Sequence, residues 1–157
     1  MTEIAGSLPE LVLRRLAISE QVAAAKFGAG RAVDDPVREQ RELARVRALA
    51  REIGLDPDLA AGFLSDQIAA SKQVQRQLFE RWTEHPGDRP TGGPDLSVLR
   101  AELDGLTVAL LDRLAATGPE PLEPPETPDA LNQEPLRTAF RTLARQRPAP
   151  RGSGNGP

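Results

Sequence analysis

Apolar positions recur three and four residues apart along most of the chain, the spacing that lays one stripe on an α-helix. Leu8, Leu11, Leu16, Val22 and Phe27 form the first stripe. Ser7 precedes it as an N-cap and Glu10 completes an S-x-x-E capping box, so the pattern predicts a helix from Ser7 that ends or loosens at Gly28-Ala29-Gly30. Asp35-Pro36 restarts a helix, an aspartate cap followed by proline at the first helical position, and Leu43, Val46, Ala50 and Ile53 carry its stripe to the Gly54 stop. Asp56-Pro57 repeats the device. It opens the longest predicted helix, with Leu59, Phe63, Leu64, Ile68, Val74, Leu78 and Trp82 on it, running to about Glu84 before His85-Pro86-Gly87. Asp95 caps a fourth helix in which Leu96, Leu99, Leu103, Leu106, Leu110, Leu111 and Leu114 make a dense, heptad-like stripe that has to pack against something. Thr117-Gly118-Pro119 stops it.

The Pro/Glu segment from Pro119 to Pro128 reads as an extended connector. A last helix starts at Asp129 or after Pro135 and reaches about Gln146, and Pro148 to Pro157 reads as a disordered tail. No segment alternates with period two, so no strand is expected. The expected fold is all-α: a bundle of about five helices forming one domain over residues 7–146, with a Pro/Gly-rich tail over 147–157.

Composition changes this picture mainly by exclusion. A length of 157 residues, 39% hydrophobic and 27% charged, suits one globular domain with a sizeable core. The 15 prolines and 13 glycines cluster at the joints between helices instead of being dispersed. A net charge of −3 and 3% aromatic residues argue against a nucleic-acid binder, which needs a basic footprint and stacking platforms. With no cysteine there is no disulfide frame, thiolate metal site or cysteine nucleophile. The N-terminal residues show no basic region followed by an apolar run, and no stretch approaches the roughly eighteen apolar residues of a membrane span. A cytoplasmic protein without a membrane association is the expectation, with export as the alternative if a leader has been removed.

Candidate chemistry lies in polar residues at fixed spacings. Arg15 and Lys26 are eleven residues apart, about three turns at roughly 100° per residue, so they project from one face of the first helix. Ser71 and Gln75 lie one turn apart on the third. Arg38 falls in the first turn of the second helix, where the dipole suits Glu39 and not an arginine. Lys26 sits among Val22, Ala23, Ala24, Ala25 and Phe27, a setting in which a buried ammonium needs an anionic partner, although a lysine can also snorkel to solvent. Taken singly, Arg15, Ser71 and Gln75 read equally well as helix-surface polarity. Arg41, Arg45, Arg47 and Arg51, interleaved with Glu42 and Glu52, read as a solvated charged face without a site role. Trp82 reads as a core or rim aromatic. His85 is the single histidine, and no zinc set, phosphate loop or Ser/His/Asp arrangement is present.

As an ordered set, Arg15, then Lys26 in Ala24-Ala25-Lys26-Phe27, then Asp35-Pro36-Val37-Arg38-Glu39, then Asp66-Gln67-Ile68-Ala69-Ala70-Ser71-Lys72-Gln73-Val74-Gln75, resembles the AroQ-type helical chorismate mutases over residues 8–84. In the common dimeric form a further arginine reaches the pocket from the partner's first helix. Here Leu99-Arg100-Ala101-Glu102-Leu103-Asp104-Gly105-Leu106 looks like that helix start placed later in the same chain, as in the gamma subclass. Members of that subclass are usually exported and often carry glutamate at the position of Gln75.

The resemblance implies that Arg15 and Arg100 hold the two carboxylates of chorismate with help from Ser71. It implies that Lys26 and Gln75 face the ether oxygen, and that Arg38, Glu39 and the Asp35 backbone address the ring hydroxyl. Lys26, Gln75, Arg15 and Arg38 are then the catalytic set. The implied reaction, chorismate to prephenate, breaks a C–O bond and forms a C–C bond. It needs no metal, cofactor or nucleophile, only a held conformer and donors where charge grows on the ether oxygen. A homodimer is also implied. The competing expectations are a same-fold enzyme acting on a chorismate relative, either an isochorismate pyruvate lyase or an amino-deoxychorismate mutase, and a non-catalytic helical interaction module.

Overall fold

The computed structural model describes residues 4–117, 122–127 and 129–145. Six α-helices run in chain order: α1 (Leu8–Gly28), α2 (Pro36–Ile53), α3 (Pro57–Glu84), α4 (Leu96–Thr117), α5 (Ala130–Ala139) and α6 (Arg141–Arg145), with one 3-10 turn at Pro86–Asp88. No strand occurs among the described residues.

Helix starts follow the capping chemistry. The Ser7 hydroxyl accepts the Glu10 N–H at 3.3 Å while Glu10 accepts the Ser7 N–H at 2.8 Å, completing the capping box. The Asp35 carboxylate accepts the Arg38 N–H at 3.3 Å and Asp56 accepts the Asp58 N–H at 2.9 Å, each followed by proline. Gly54 closes α2 at φ 77°, a left-handed conformation that glycine adopts without a Cβ clash. On α4 the Asp95 carbonyl takes the Leu99 N–H at 3.1 Å.

α3 is the central rod, packed by α1, α2, α5 and α6, while α4 lies across α1 and α2. The main core gathers Leu11, Val12 and Leu16 of α1, Phe63, Val74 and Trp82 of α3, Leu99, Leu106, Leu110 and Leu114 of α4, and Leu136, Phe140 and Leu143 from the last two helices and their junction. The leucine stripe of α4 thus has its partners. A second apolar cluster of Val46, Ala50, Ala60, Leu64 and Leu111 fixes α2 between α3 and α4. Phe27 packs edge-on against Phe79 and Trp82 at centroid distances of 5.1 and 5.6 Å, which pins the end of α1 to α3 beside Lys26.

The last helix departs from expectation. It starts at Ala130 behind the Asp129 cap, as one of the two expected starts has it, and contains Pro135, then breaks at Phe140 into a separate short helix, so the described residues hold six helices where about five were expected. Pro135 cannot donate to the Leu131 carbonyl, and the Gln77 side-chain amide approaches that oxygen at 3.5 Å instead. At the break, Gln67 of α3 donates to the Ala139 carbonyl at 2.7 Å and Asp66 accepts the Thr142 N–H at 2.5 Å. Side chains of the central rod therefore take over the backbone groups that a continuous helix would have paired internally. Residues 122–127 of the expected connector carry no helix or strand. Its remaining residues, 119–121 and 128, the helix end at Gln146 and the tail over 147–157 lie outside the described residues.

Candidate active site

One cavity opens where α1, α2, α3 and α4 meet, and all eight residues singled out from the sequence line it: Arg15 and Lys26 from α1, Asp35, Arg38 and Glu39 from α2 and its cap, Ser71 and Gln75 from α3, and Arg100 from α4. Val22, Val33, Ile68 and Leu103 give it apolar walls.

The charges are unevenly partnered. Asp35 and Arg100 approach at 3.5 Å, Glu39 and Lys72 at 2.8 Å, and Arg38 lies 3.6 Å from Glu42 and 4.0 Å from Asp104. Arg15 and Lys26 differ from these. Arg15 is 8% exposed, donates from Nη1 to the Gln67 carbonyl at 3.2 Å, and keeps Nε buried with no hydrogen-bond partner. Lys26 is 7% exposed and donates to the Val33 carbonyl at 2.8 Å. Neither reaches a carboxylate within ion-pair distance among the described residues. Burial pulls the Arg15 pKa down to about 10, with Glu42 and Asp104 working upward and Arg38 downward. Burial, seconded by Arg100, also holds Lys26 below the ordinary lysine value against the attraction of Asp35 and Glu39. Arg100 is lowered by burial and by Arg38, with Asp35 opposing.

A polar chain links α1 to α3 behind these cations. Gln75 donates from Nε2 to Ser71 Oγ at 2.9 Å, and Ser19 Oγ lies 2.7 Å from Ser71 Oγ and 3.0 Å from the Arg15 carbonyl. Gln75 is 4% exposed and its Oε1 is buried without a partner. Exchanging the two ends of that amide would satisfy Oε1 from the Ser71 hydroxyl and leave both N–H groups for a ligand.

Sequence reasoning passed over several lining residues, namely Glu42, Lys72, Asp104 and Thr107, and Ser19 behind them. A signal existed: Ser19, Glu42 and Asp104 each lie four residues after Arg15, Arg38 and Arg100, and Lys72 lies three before Gln75, all one helical turn away on the same face. Arg45 is not the purely solvated residue expected. It lies 3.2 Å from Asp104 and 3.5 Å from Glu42, at the rim of the site. Among the described residues no group of side chains is suited to a metal ion, and no helix is long and apolar enough to cross a membrane.

Comparison with known proteins leads the same way. The family described as Chorismate mutase type II matches residues 2–76. A protein of Mycolicibacterium smegmatis named secreted chorismate mutase is 34% identical over 122 residues, covering 78% of this chain and 67% of the relative. Its namesake in Mycobacterium tuberculosis is 30% identical over 109 residues, covering 69% of this chain and 55% of the relative, so the chain spans only about half of that protein. Those names do not support the cytoplasmic location expected from the sequence. Among solved structures, the chorismate mutase of Burkholderia thailandensis superposes with a TM-score of 0.75 at 34% identity, covering 87% of this chain and 96% of the other. That of Burkholderia phymatum gives 0.77 at 28%, covering 87% and 93%. With the helical fold, the ordered site residues and these relatives in agreement, the chain belongs to the type II chorismate mutase family.

Proposed function

We propose that this protein rearranges chorismate to prephenate in the cavity between α1, α2, α3 and α4, using residues of one chain. The observation that carries the reading is the pair Arg15 and Lys26: two buried cations on one face of α1 whose partners among the described residues are backbone carbonyls. Burying a cation beside a neutral dipole is costly unless an anion completes the site, and a small dianion does so for both.

Guanidinium groups match carboxylates bidentately, whereas an ammonium acts as a compact point charge. Arg15 and Arg100 therefore suit the two carboxylates, with the Ser71 hydroxyl beside them. Lys26 and the Gln75 amide suit the ether oxygen, where negative charge develops as the C–O bond breaks. Arg38, Glu39 and the Asp35 backbone suit the ring hydroxyl. The helices hold these groups before substrate arrives, so the gain comes from restricting a flexible substrate to its reactive conformer and from donors that need no reorganisation. No proton needs to move and no covalent intermediate forms. The burial of Arg15, Lys26 and Gln75 strengthens the charge interactions they make. The names of the relatives favour an exported protein over a cytoplasmic one. A homodimer is compatible with this site but is not required by it.

The test is chorismate consumption at neutral pH with chromatographic identification of the product. Native protein should yield prephenate, and Lys26→Ala should lose at least about a hundredfold in turnover, the scale of one preorganised donor. A smaller loss with the fold intact removes Lys26 from the site. Pyruvate release from isochorismate, or turnover of an amino-substituted chorismate with none of chorismate, would reassign the substrate within the same fold.

A further inference from the structure

The chain contains two lysines among its 20 Lys and Arg residues, Lys26 and Lys72, and both line the candidate active site. They keep different company. Lys72 Nζ donates to Glu39 Oε1 at 2.8 Å and lies 3.0 Å from Asp34 Oδ1. Burial opposes its charge, but these two carboxylates outweigh burial and hold its pKa above the ordinary lysine value. Lys26 has the Val33 carbonyl and no carboxylate within ion-pair distance, and its pKa is shifted the other way.

Glu39 is the group that decides this asymmetry. It projects from the first turn of α2 into the cavity shared with Lys26, and both of its oxygens are occupied: Oε1 by Lys72 and Oε2 by the Asp35 N–H at 3.1 Å. Released from Lys72, an anionic Glu39 in a part-buried cavity would seek the nearest cation lacking a carboxylate. The charged groups lining the cavity with Lys26 are Arg15 from its own helix, Asp35, Arg38, Glu39 and Glu42 from α2 and its cap, Lys72 from α3, and Asp104 and Arg100 from α4, with Glu42 and Asp104 paired to Arg38 and Arg45. Of the carboxylates among them, Asp35 is already shared between the Arg38 N–H and the Arg100 guanidinium, which leaves Glu39 as the one that could neutralise Lys26. The loop ahead of α2 does not depend on Lys72 alone, because Arg76 holds Asp34 at 2.8 and 2.9 Å.

We infer that Lys72 is a positioning residue: by holding Glu39 against α3 it keeps that carboxylate off Lys26 and leaves the Lys26 ammonium to the anionic substrate. The inference rests on the mutase reading for its substrate but not for its charge partition, which exists in the free protein. The ammonium reaches both carboxylates, Asp34 and Glu39, from a single point.

The experiment uses 15Nζ-labelled lysine in the full chain without ligand, where Lys72→Met leaves Lys26 as the single lysine signal. Freed Glu39 should raise the Lys26 titration midpoint by about one pH unit or more, and Lys72→Arg should return it toward the native value. Loss of Lys72's own repulsion would also raise it, so the same substitution is made in a Glu39→Gln background, where only that smaller part of the rise should remain. A rise as large there as in Lys72→Met alone, or no rise in Lys72→Met, overturns the inference. Lys72→Ala gives the same reading where the methionine variant does not fold. With chorismate, Lys72→Met should lose about tenfold in kcat/KM, chiefly through KM. Native protein inert on chorismate would sink the mutase reading while leaving the titration to decide the role of Lys72.

Discussion

Gln75 concentrates the residue-scale argument, because it places a neutral amide at a buried position among cations. Its amide is 4% exposed and is tied by 2.9 Å to Ser71, with no charged partner at hydrogen-bond distance. An amide donates at any pH, whereas a glutamate donates only when protonated. Native activity should therefore stay level between mild acid and neutrality. Gln75→Glu places a carboxylate in the same desolvated position, where burial raises its pKa while the cations of the cavity pull it back. The variant should lose about tenfold or more in kcat/KM at pH 7 and recover part of it near pH 5, the effect expected of losing a transition-state donor that protonation restores. A pH profile of both proteins checks this, and an unchanged neutral rate in the variant removes Gln75 from the ether-oxygen role. The same scale shows what was readable in the sequence. Spacing puts Arg15 and Lys26 on one face of their helix, but it is the family resemblance, not the spacing, that singles out Arg15, Lys26 and Gln75 over a surface reading. Lys72 was passed over although it lies one turn from Gln75, since its partners Glu39 and Asp34 come from 33 and 38 residues away in sequence.

At the scale of the element, α1 to α4 followed from caps, breakers and apolar periodicity, all local signals, and the structure reproduces their bounds to within a residue or so. The last helix did not. Its course is set by α3 through Gln77, Gln67 and Asp66, tertiary partners that no window of local sequence contains. Gly62 of α3 shows how close the approach is: a Cβ there would meet the Thr142 hydroxyl at 3.3 Å. Gln67 also gives its carbonyl to Arg15, so the turn of α3 that anchors the C-terminal helices is the turn that holds Arg15 in the cavity. Asp66 makes this anchor pH-dependent. Burial raises its pKa above the ordinary 3.8, against the bonds from Thr142 and the attraction of Arg141 and Arg145. Between 3.8 and that raised value the folded state binds more protons at Asp66 than the unfolded state does. Stability from this residue therefore grows as pH falls through the raised pKa and is lost as pH rises through it. Asp66→Asn keeps an acceptor for the Thr142 N–H and loses the buried charge. Its melting temperature should exceed the native value at pH 7, on the order of 2 °C, and the gap should close by about pH 4. Thermal melts of the two proteins across that range decide it, and a gap that widens toward acid contradicts this reading of Asp66.

At the scale of the whole molecule the question is how many chains a working site needs. The cavity draws Arg15 and Lys26 from α1, Arg38 from α2, Gln75 from α3 and Arg100 from α4, all within one polypeptide. Arg100 is the decisive member, because it comes from the second half of the chain. It is held there by intramolecular means: Asp35 at 3.5 Å across the cavity, and the burial of Leu99 and Leu106 of its own helix in the main core. That core is built with α1, α3 and the last two helices, so contacts within the chain place Arg100. If the guanidinium that Arg100 supplies came instead from a partner, dilution below the dissociation constant would remove it and specific activity would fall with concentration. With the site intramolecular, kcat/KM should stay constant within about twofold from micromolar to nanomolar protein, whatever the sedimentation profile shows. Arg100→Ala should meanwhile reduce kcat/KM by about tenfold or more by removing a carboxylate-binding guanidinium, and mixing it with an Arg15→Ala variant should restore nothing. Recovery of activity in that mixture would mean that sites form between chains, and would move Arg100's contribution to a partner.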